Sequence, residues 1–237
     1  GIIANIPKEI GQFFFTFDIS RLPVYILFLV VGLLIVAGVV VVSEAERPIP
    51  VTYAKQVRGT RVSGGTQTYV PLRVNQAGVM PIIFALSIMM FPQLIGNALA
   101  GSSVGFLQSI SHGLLWFVQN TWVYSLFYFI FVFLFTYFYT AVIFNPEQMA
   151  TNLQKNGAFI PGIRPGEATR EYVAKILNRI TMIGAVFLGI IAVLPLIMQS
   201  ITGITTFAIG GTALLIVVSV VLDLIKKVEA QLSMREY

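Results

Sequence analysis

The chain has 237 residues, of which 57% are hydrophobic and only 11% charged, well below the roughly 25% charged share of a soluble globular domain. It has no cysteine, which excludes a disulfide framework and any thiolate nucleophile or metal ligand. A formal net charge of +5 is modest, so where the charges fall says more than their sum.

The chain opens on the apolar run GIIANIP, without a methionine and without the basic start and apolar core of a signal peptide, so we expect a portion of a longer protein. Segment 1–21 reads as an outer loop, with Lys8 and Arg21 offset by Glu9 and Asp18. Residues 22–42 carry no charge and suffice for one membrane-spanning helix. Segment 43–75 follows, with strand-like stretches PVTYAKQVRGTRV and TQTYVPLRV around SGG. We expect a β-hairpin with Lys55, Arg58 and Arg61 toward its tip.

From Val74 to Phe144 there is no Lys, Arg, Asp or Glu, a run too long for one span. NALAGSSVG is the break, giving spans over 76–96 and 122–144, with 97–121 an outer loop holding a short interfacial helix. Segment 145–179 is the second large loop and contains GAFIPGIRPGEATR. Pro161 and Pro165 each fix φ, while Gly162 and Gly166 permit turns a side chain forbids. Arg164 stands between them, and a passive connector needs no such stiffness. Spans over 180–198 and 207–225, joined by 199–206, and a tail over 226–237 complete the chain.

All the basic residues except Lys8 and Arg21 fall in 43–75, 145–179 and 226–237, and the loops between carry none. The positive-inside rule then places these three segments in the cytoplasm and the start outside, as an odd number of spans requires. The expected fold is an all-α membrane bundle of five transmembrane helices with two large cytoplasmic loops.

Little in the spans can titrate. Asp223 sits at a span end beside Lys227, and ion-coupled transporters need ionisable groups at membrane depth. The single histidine, His112, reads as a polar residue of the outer loop. No nucleophile–base pair, phosphate loop or metal spacing appears, so neither catalytic residues nor a cofactor are expected. Pro81, Pro92 and Pro195 read as ordinary transmembrane kinks, and Ala185 with Gly189 as a small-residue pair allowing close helix approach. A protruding basic hairpin suits a phosphate backbone or an acidic protein surface.

Three stretches, YVPLRVNQAGVMPIIFA, NPEQMATNLQKNGAFIPGIRPGEATREYVAKILNRIT and GGTALLIVVSVVLDLIKKVEAQL, resemble the SecY family, the large subunits of bacterial protein-conducting channels. The resemblance covers essentially the whole chain and the second half of the family's ten-span clamshell, spans six to ten, preceded by the hinge loop. It implies a channel subunit of the bacterial inner membrane with no catalysis, used for secretion and membrane-protein insertion. Implied partners are SecE, SecG, the SecA motor ATPase, the ribosome, signal peptides, nascent polypeptides, membrane lipid and the N-terminal half. Arg164 matches the key arginine of one docking loop, and Lys55, Arg58 and Arg61 the basic tip of the other, although GTRVSGGTQT departs from the commoner pattern there. Ile83 and Ile216 match pore-ring positions, where aliphatic side chains seal around a passing chain. Ile82, Leu86, Ser87, Met90 and Phe91 match the lateral-gate helix, with Ile82 favouring ordinary packing. The competing readings are half of a solute transporter, which would want a charged or discontinuous midplane site, and an isolated inactive fragment.

Overall fold

The computed structural model describes residues 22–53, 56–58, 61–63, 67–76, 78–102 and 104–202, together with 220, 221, 224 and 228. The expected outer loop over 1–21, nearly all of the span expected over 207–225, and the tail lie outside the described residues, as do Lys55 and Ile216.

Four described helices are long and apolar enough to cross a membrane. The first, α1 (Leu22–Glu44), is apolar all round, so no stripe marks one buried face. Helix α2 (Met80–Ala100) begins later than Gln76, because Pro81 fits the first turn, where no N–H is needed. Pro92 lies inside it. Helix α3 (Gly105–Gln119) is amphipathic and crosses to α4 (Thr121–Ile143) through Asn120. The Asn120 side chain caps α4 by accepting from the Val123 N–H at 3.3 Å.

The segment expected as a second large loop is mostly regular. Asn145 accepts from the N–H groups of Glu147 and Gln148, and Pro146 opens a helix, α5 (Pro146–Lys155). Glu147 in its first turn and Lys155 in its last complement the helix dipole. The final helix, α6, runs from Glu167 to Thr202 without interruption, far outside the expected 180–198. Charges mark where a helix leaves apolar surroundings, not where its backbone hydrogen bonds stop.

Between α1 and α2 lie four strands, β1 (Glu46–Tyr53), β2 (Gln56–Arg58), β3 (Arg61–Ser63) and β4 (Gln67–Arg73). β1 pairs antiparallel with β4, from Glu46↔Arg73 to Thr52↔Gln67, and an Arg73–Glu46 ion pair at 3.1 Å closes one end. β2 and β3 form a smaller antiparallel hairpin of their own, and SGG begins at Ser63, the last residue of β3. A short strand from the second loop, β5 (Ala158–Phe159), adds to the other edge of β1 through Thr52↔Phe159 and Tyr53↔Ala158. Pro48, Pro50 and Pro71 supply no N–H to the ladder, yet the register runs unbroken through them.

Three apolar clusters hold the described chain together, and α6 belongs to all of them. Ile49, Val51 and Leu72 of the sheet meet Ala158, Ile160 and the first turns of α6 at Val173, Ile176, Leu177 and Ile180. Farther along, Leu188, Ala192 and Val193 meet Ile82, Ala85 and Met89 of α2 and Tyr128 and Val132 of α4. On a third side Ile191 meets Ile35 and Val39 of α1. Two glycines permit this crowding. A Cβ at Gly189 would stand 2.6 Å from the Phe129 ring, and one at Gly184 would stand 2.8 Å from the Val74 carbonyl oxygen.

Candidate functional site

The turn from Ile160 to Glu167 answers why two prolines and two glycines surround one arginine. Gly162 and Gly166 have φ of 82° and 100°, outside the range a side chain adopts without strain. The Ile163 N–H bonds the Ile160 carbonyl at 3.0 Å, and Ile160 itself is buried in the sheet cluster. The Thr169 hydroxyl, buried beneath the turn, donates to the Arg164 carbonyl at 2.9 Å. The Arg170 N–H bonds the Gly166 carbonyl, and Arg170 pairs with Glu167. The backbone of Arg164 is thus held from both sides. Its side chain is exposed and makes no ion pair among the described residues.

Sequence reasoning missed Thr169, whose only signal is a short hydroxyl side chain in the first turn of a helix. It also missed β5, which is too short to show any periodicity. β5 is nevertheless what joins the two large loops, because the strand leading into the Arg164 turn is part of the same sheet as β1 and β4. In the β2–β3 hairpin the register pairs Arg58 with Arg61.

A test of the turn follows from Gly166. Replacement by alanine forces a side chain into that φ and is expected to cost roughly 1–3 kcal/mol. The loss would be read as faster proteolysis between Ile160 and Glu167; an unchanged rate would mean the turn relaxes without strain.

The other candidate residues lie on α2 and divide between its faces. Ile82 is 1% exposed and packs in the α2–α4–α6 cluster, the ordinary packing role it was expected to favour. Leu86 lies half-buried at the edge of that cluster. Ser87, Met90 and Phe91 fall on the opposite side, with Met90 and Phe91 each 57% exposed. Ile83 is half-buried and shares their face, one turn before Ser87, whose hydroxyl donates to the Ile83 carbonyl at 2.8 Å. At 100° per residue, positions 83, 87, 90 and 91 form one stripe. Ser87, Met90 and Phe91 stand exposed along it, and Ile83 is partly covered. Among the described residues no group of three His, Cys, Asp or Glu could hold a metal ion.

Comparison with known proteins gives a single answer. The sequence profile of the SecY family matches residues 1–225. A protein translocase subunit SecY of Streptomyces galbus is 44% identical over 208 residues, covering 87% of this chain and 47% of the relative. The Thermotoga maritima protein of the same name is 41% identical over 237 residues, covering 100% of this chain and 52% of the relative. That of Chlamydia trachomatis is 42% identical over 249 aligned positions, covering 100% and 53%. The chain therefore spans about half the length of the curated relatives it matches.

Proposed function

The chain belongs to the SecY family of membrane proteins, and from that premise we propose that it supplies one side of a protein-conducting channel. In this reading it is the second half of the family's ten-span clamshell, five spans in all, set in the bacterial inner membrane. The segments 43–75 and 145–179 face the cytoplasm, as their basic charge favours. They dock the SecA motor or the ribosome through Lys55, Arg58, Arg61 and Arg164. The stripe of Ile83, Ser87, Met90 and Phe91 faces the polypeptide path and the lateral gate, where signal peptides leave. Ile216 completes this chain's share of the pore ring. SecE, SecG and the N-terminal half close the assembly. No residue is assigned a catalytic role, and the energy comes from the docked partner.

The observation that carries this reading is that Ser87, Met90 and Phe91 stand exposed on the side of α2 away from its packed cluster, with the half-buried Ile83 one turn before Ser87. Apolar side chains on the bare side suit a seal that grips no particular sequence and resists wetting. Bulky, adaptable Met90 and Phe91 suit varied apolar helices.

The test is site-specific crosslinking from positions 83 and 216 to a stalled translocating chain, in the complete channel. Crosslinks from both place this half around the path. Crosslinks from neither, in a channel that still translocates, sink the assignment. A second expectation concerns the seal itself. Ile83→Asn with Ile216→Asn puts two amides where aliphatic surface excluded water. The double variant should leak ions and accept weaker signal sequences. An unaltered leak and unaltered stringency would remove both residues from the ring.

A further inference from the structure

The buried stripe of α4 is Ser125, Tyr128, Val132, Thr136 and Thr140. It turns four hydroxyls toward the interior of an apolar bundle. Two of them are satisfied locally. Thr136 donates to the Val132 carbonyl at 2.7 Å and Thr140 to the Thr136 carbonyl at 2.8 Å, each reaching one turn back. Ser87 on α2 and Ser109 on α3 do the same. Ser125 does not. Its Oγ is buried and has no hydrogen-bond partner among the described residues. The same holds for the Tyr128 hydroxyl, although that residue is 0% exposed.

Buried polar groups are hydrogen-bonded almost without exception, because one left without a partner bears its full desolvation cost. The lipid around the bundle offers no water in exchange. The apolar neighbours of Tyr128 offer no side-chain partner either, being Ile82, Ala85 and Met89 of α2 and Leu188, Ala192 and Val193 of α6. The two unpartnered hydroxyls belong to one place. Residues three apart on a helix are neighbours on one face. A helical aromatic side chain leans back over the preceding turn, so the Tyr128 ring reaches toward the turn that holds Ser125. The Tyr124 ring on that same turn stands 6.5 Å from it, centroid to centroid.

We infer that one water molecule is held at this junction of α2, α4 and α6, bridging the Tyr128 hydroxyl and Ser125 Oγ. Each hydroxyl can donate and accept, so the water takes a bond from one and gives a bond to the other. Buried waters hold two to four such bonds. A further acceptor stands one turn before Ser125, where the Thr121 carbonyl has a second lone pair beyond the helical bond. Water fits better than an ion, since the surrounding cluster carries no charge. The inference rests only on the packing of three helices, so it stands or falls separately from the docking and pore roles.

The test is a structure of the complete channel at a resolution that shows ordered waters, with melting temperatures of variants beside it. We expect one water within hydrogen-bond distance of both oxygens, and none there in Tyr128→Phe. Tyr128→Phe and Ser125→Ala should each lower the melting temperature by roughly 1–4 °C, as the loss of one hydrogen bond would. The double variant should fall little further, because either change alone breaks the bridge. A melting temperature that holds or rises with Tyr128→Phe would overturn the inference, since deleting a hydroxyl without a partner removes only a cost. So would losses that add in the double variant. A structure with no water between the two oxygens, or with either hydroxyl bonded directly to a protein group, would overturn it as well.

Discussion

Arg164→Glu is expected to abolish translocation driven by the cytosolic motor while leaving the channel folded and assembled. The guanidinium is exposed and makes no ion pair among the described residues, so the fold loses nothing when it goes. The turn is fixed by Gly162, Gly166, Ile160 and Thr169, none of which the substitution touches. A partner meeting this arginine meets it already positioned and pays little ordering entropy on binding. Reversing the charge at such an anchor typically costs 2–4 kcal/mol or more, so docking should weaken roughly 30- to 1,000-fold. The measurement is motor-dependent export into vesicles beside thermal unfolding of the same complex. Unchanged export would refute the docking role. Lost export with a lowered melting temperature would mean that Arg164 supports the fold instead.

Gly184→Val is expected to damage the described part of the bundle. A Cβ at this position would stand 2.8 Å from the Val74 carbonyl oxygen and 3.6 Å from its carbon. These are backbone atoms and cannot turn aside as a side chain can. Val74 is also tethered, since its N–H bonds the Ala45 carbonyl at 2.9 Å. The exit of β4 and α6 must therefore separate, with a cost of roughly 1–3 kcal/mol or more for overpacking. Gly32→Ala in α1 is the control. Nothing lies within 4 Å of a Cβ there, and alanine should be neutral or stabilise the helix by roughly 0.5–1 kcal/mol. The comparison is thermal unfolding of the two variants in one membrane mimetic. Equal melting temperatures would mean that the Val74 segment yields freely.

The residues show why parts of this structure could be read from the sequence and parts could not. Uncharged runs announce apolar helices, because burying an unpaired charge in lipid is costly; the four described spans were legible on that basis. The start of α6 was not, since a helix leaving the membrane keeps its hydrogen bonds while its composition turns polar. The stiffness of the Arg164 turn was legible in its prolines and glycines, because both types act on the backbone directly. Thr169 and β5 act through contacts distant in sequence, and no local pattern carries them. Gly189 was legible as part of a small-residue pair and does meet Phe129 closely. Gly184 was not, because its neighbour is the backbone at Val74, which no helix-pairing pattern anticipates. On α2 the sequence presented five gate candidates and set only Ile82 apart, as the one favouring packing. Burial separates Ile82 from Ser87, Met90 and Phe91.

The addition of β5 to β1 bears on how the chain is made. Thr52 and Phe159 are joined in one sheet, but the ribosome produces them far apart. At roughly 5–20 residues per second the interval is on the order of ten seconds. Through that time β1 and β4 can close their hairpin locally. Ile49, Val51 and Leu72 must wait for Ala158, Ile160 and the first turns of α6, because those residues complete their cluster. The nascent protein thus carries an open strand edge and a bare apolar face while α2 and α4 enter the bilayer. Slow synthesis through 80–160 prolongs that exposure, and a chaperone that shields the hairpin during the same interval would raise the yield of assembled channel.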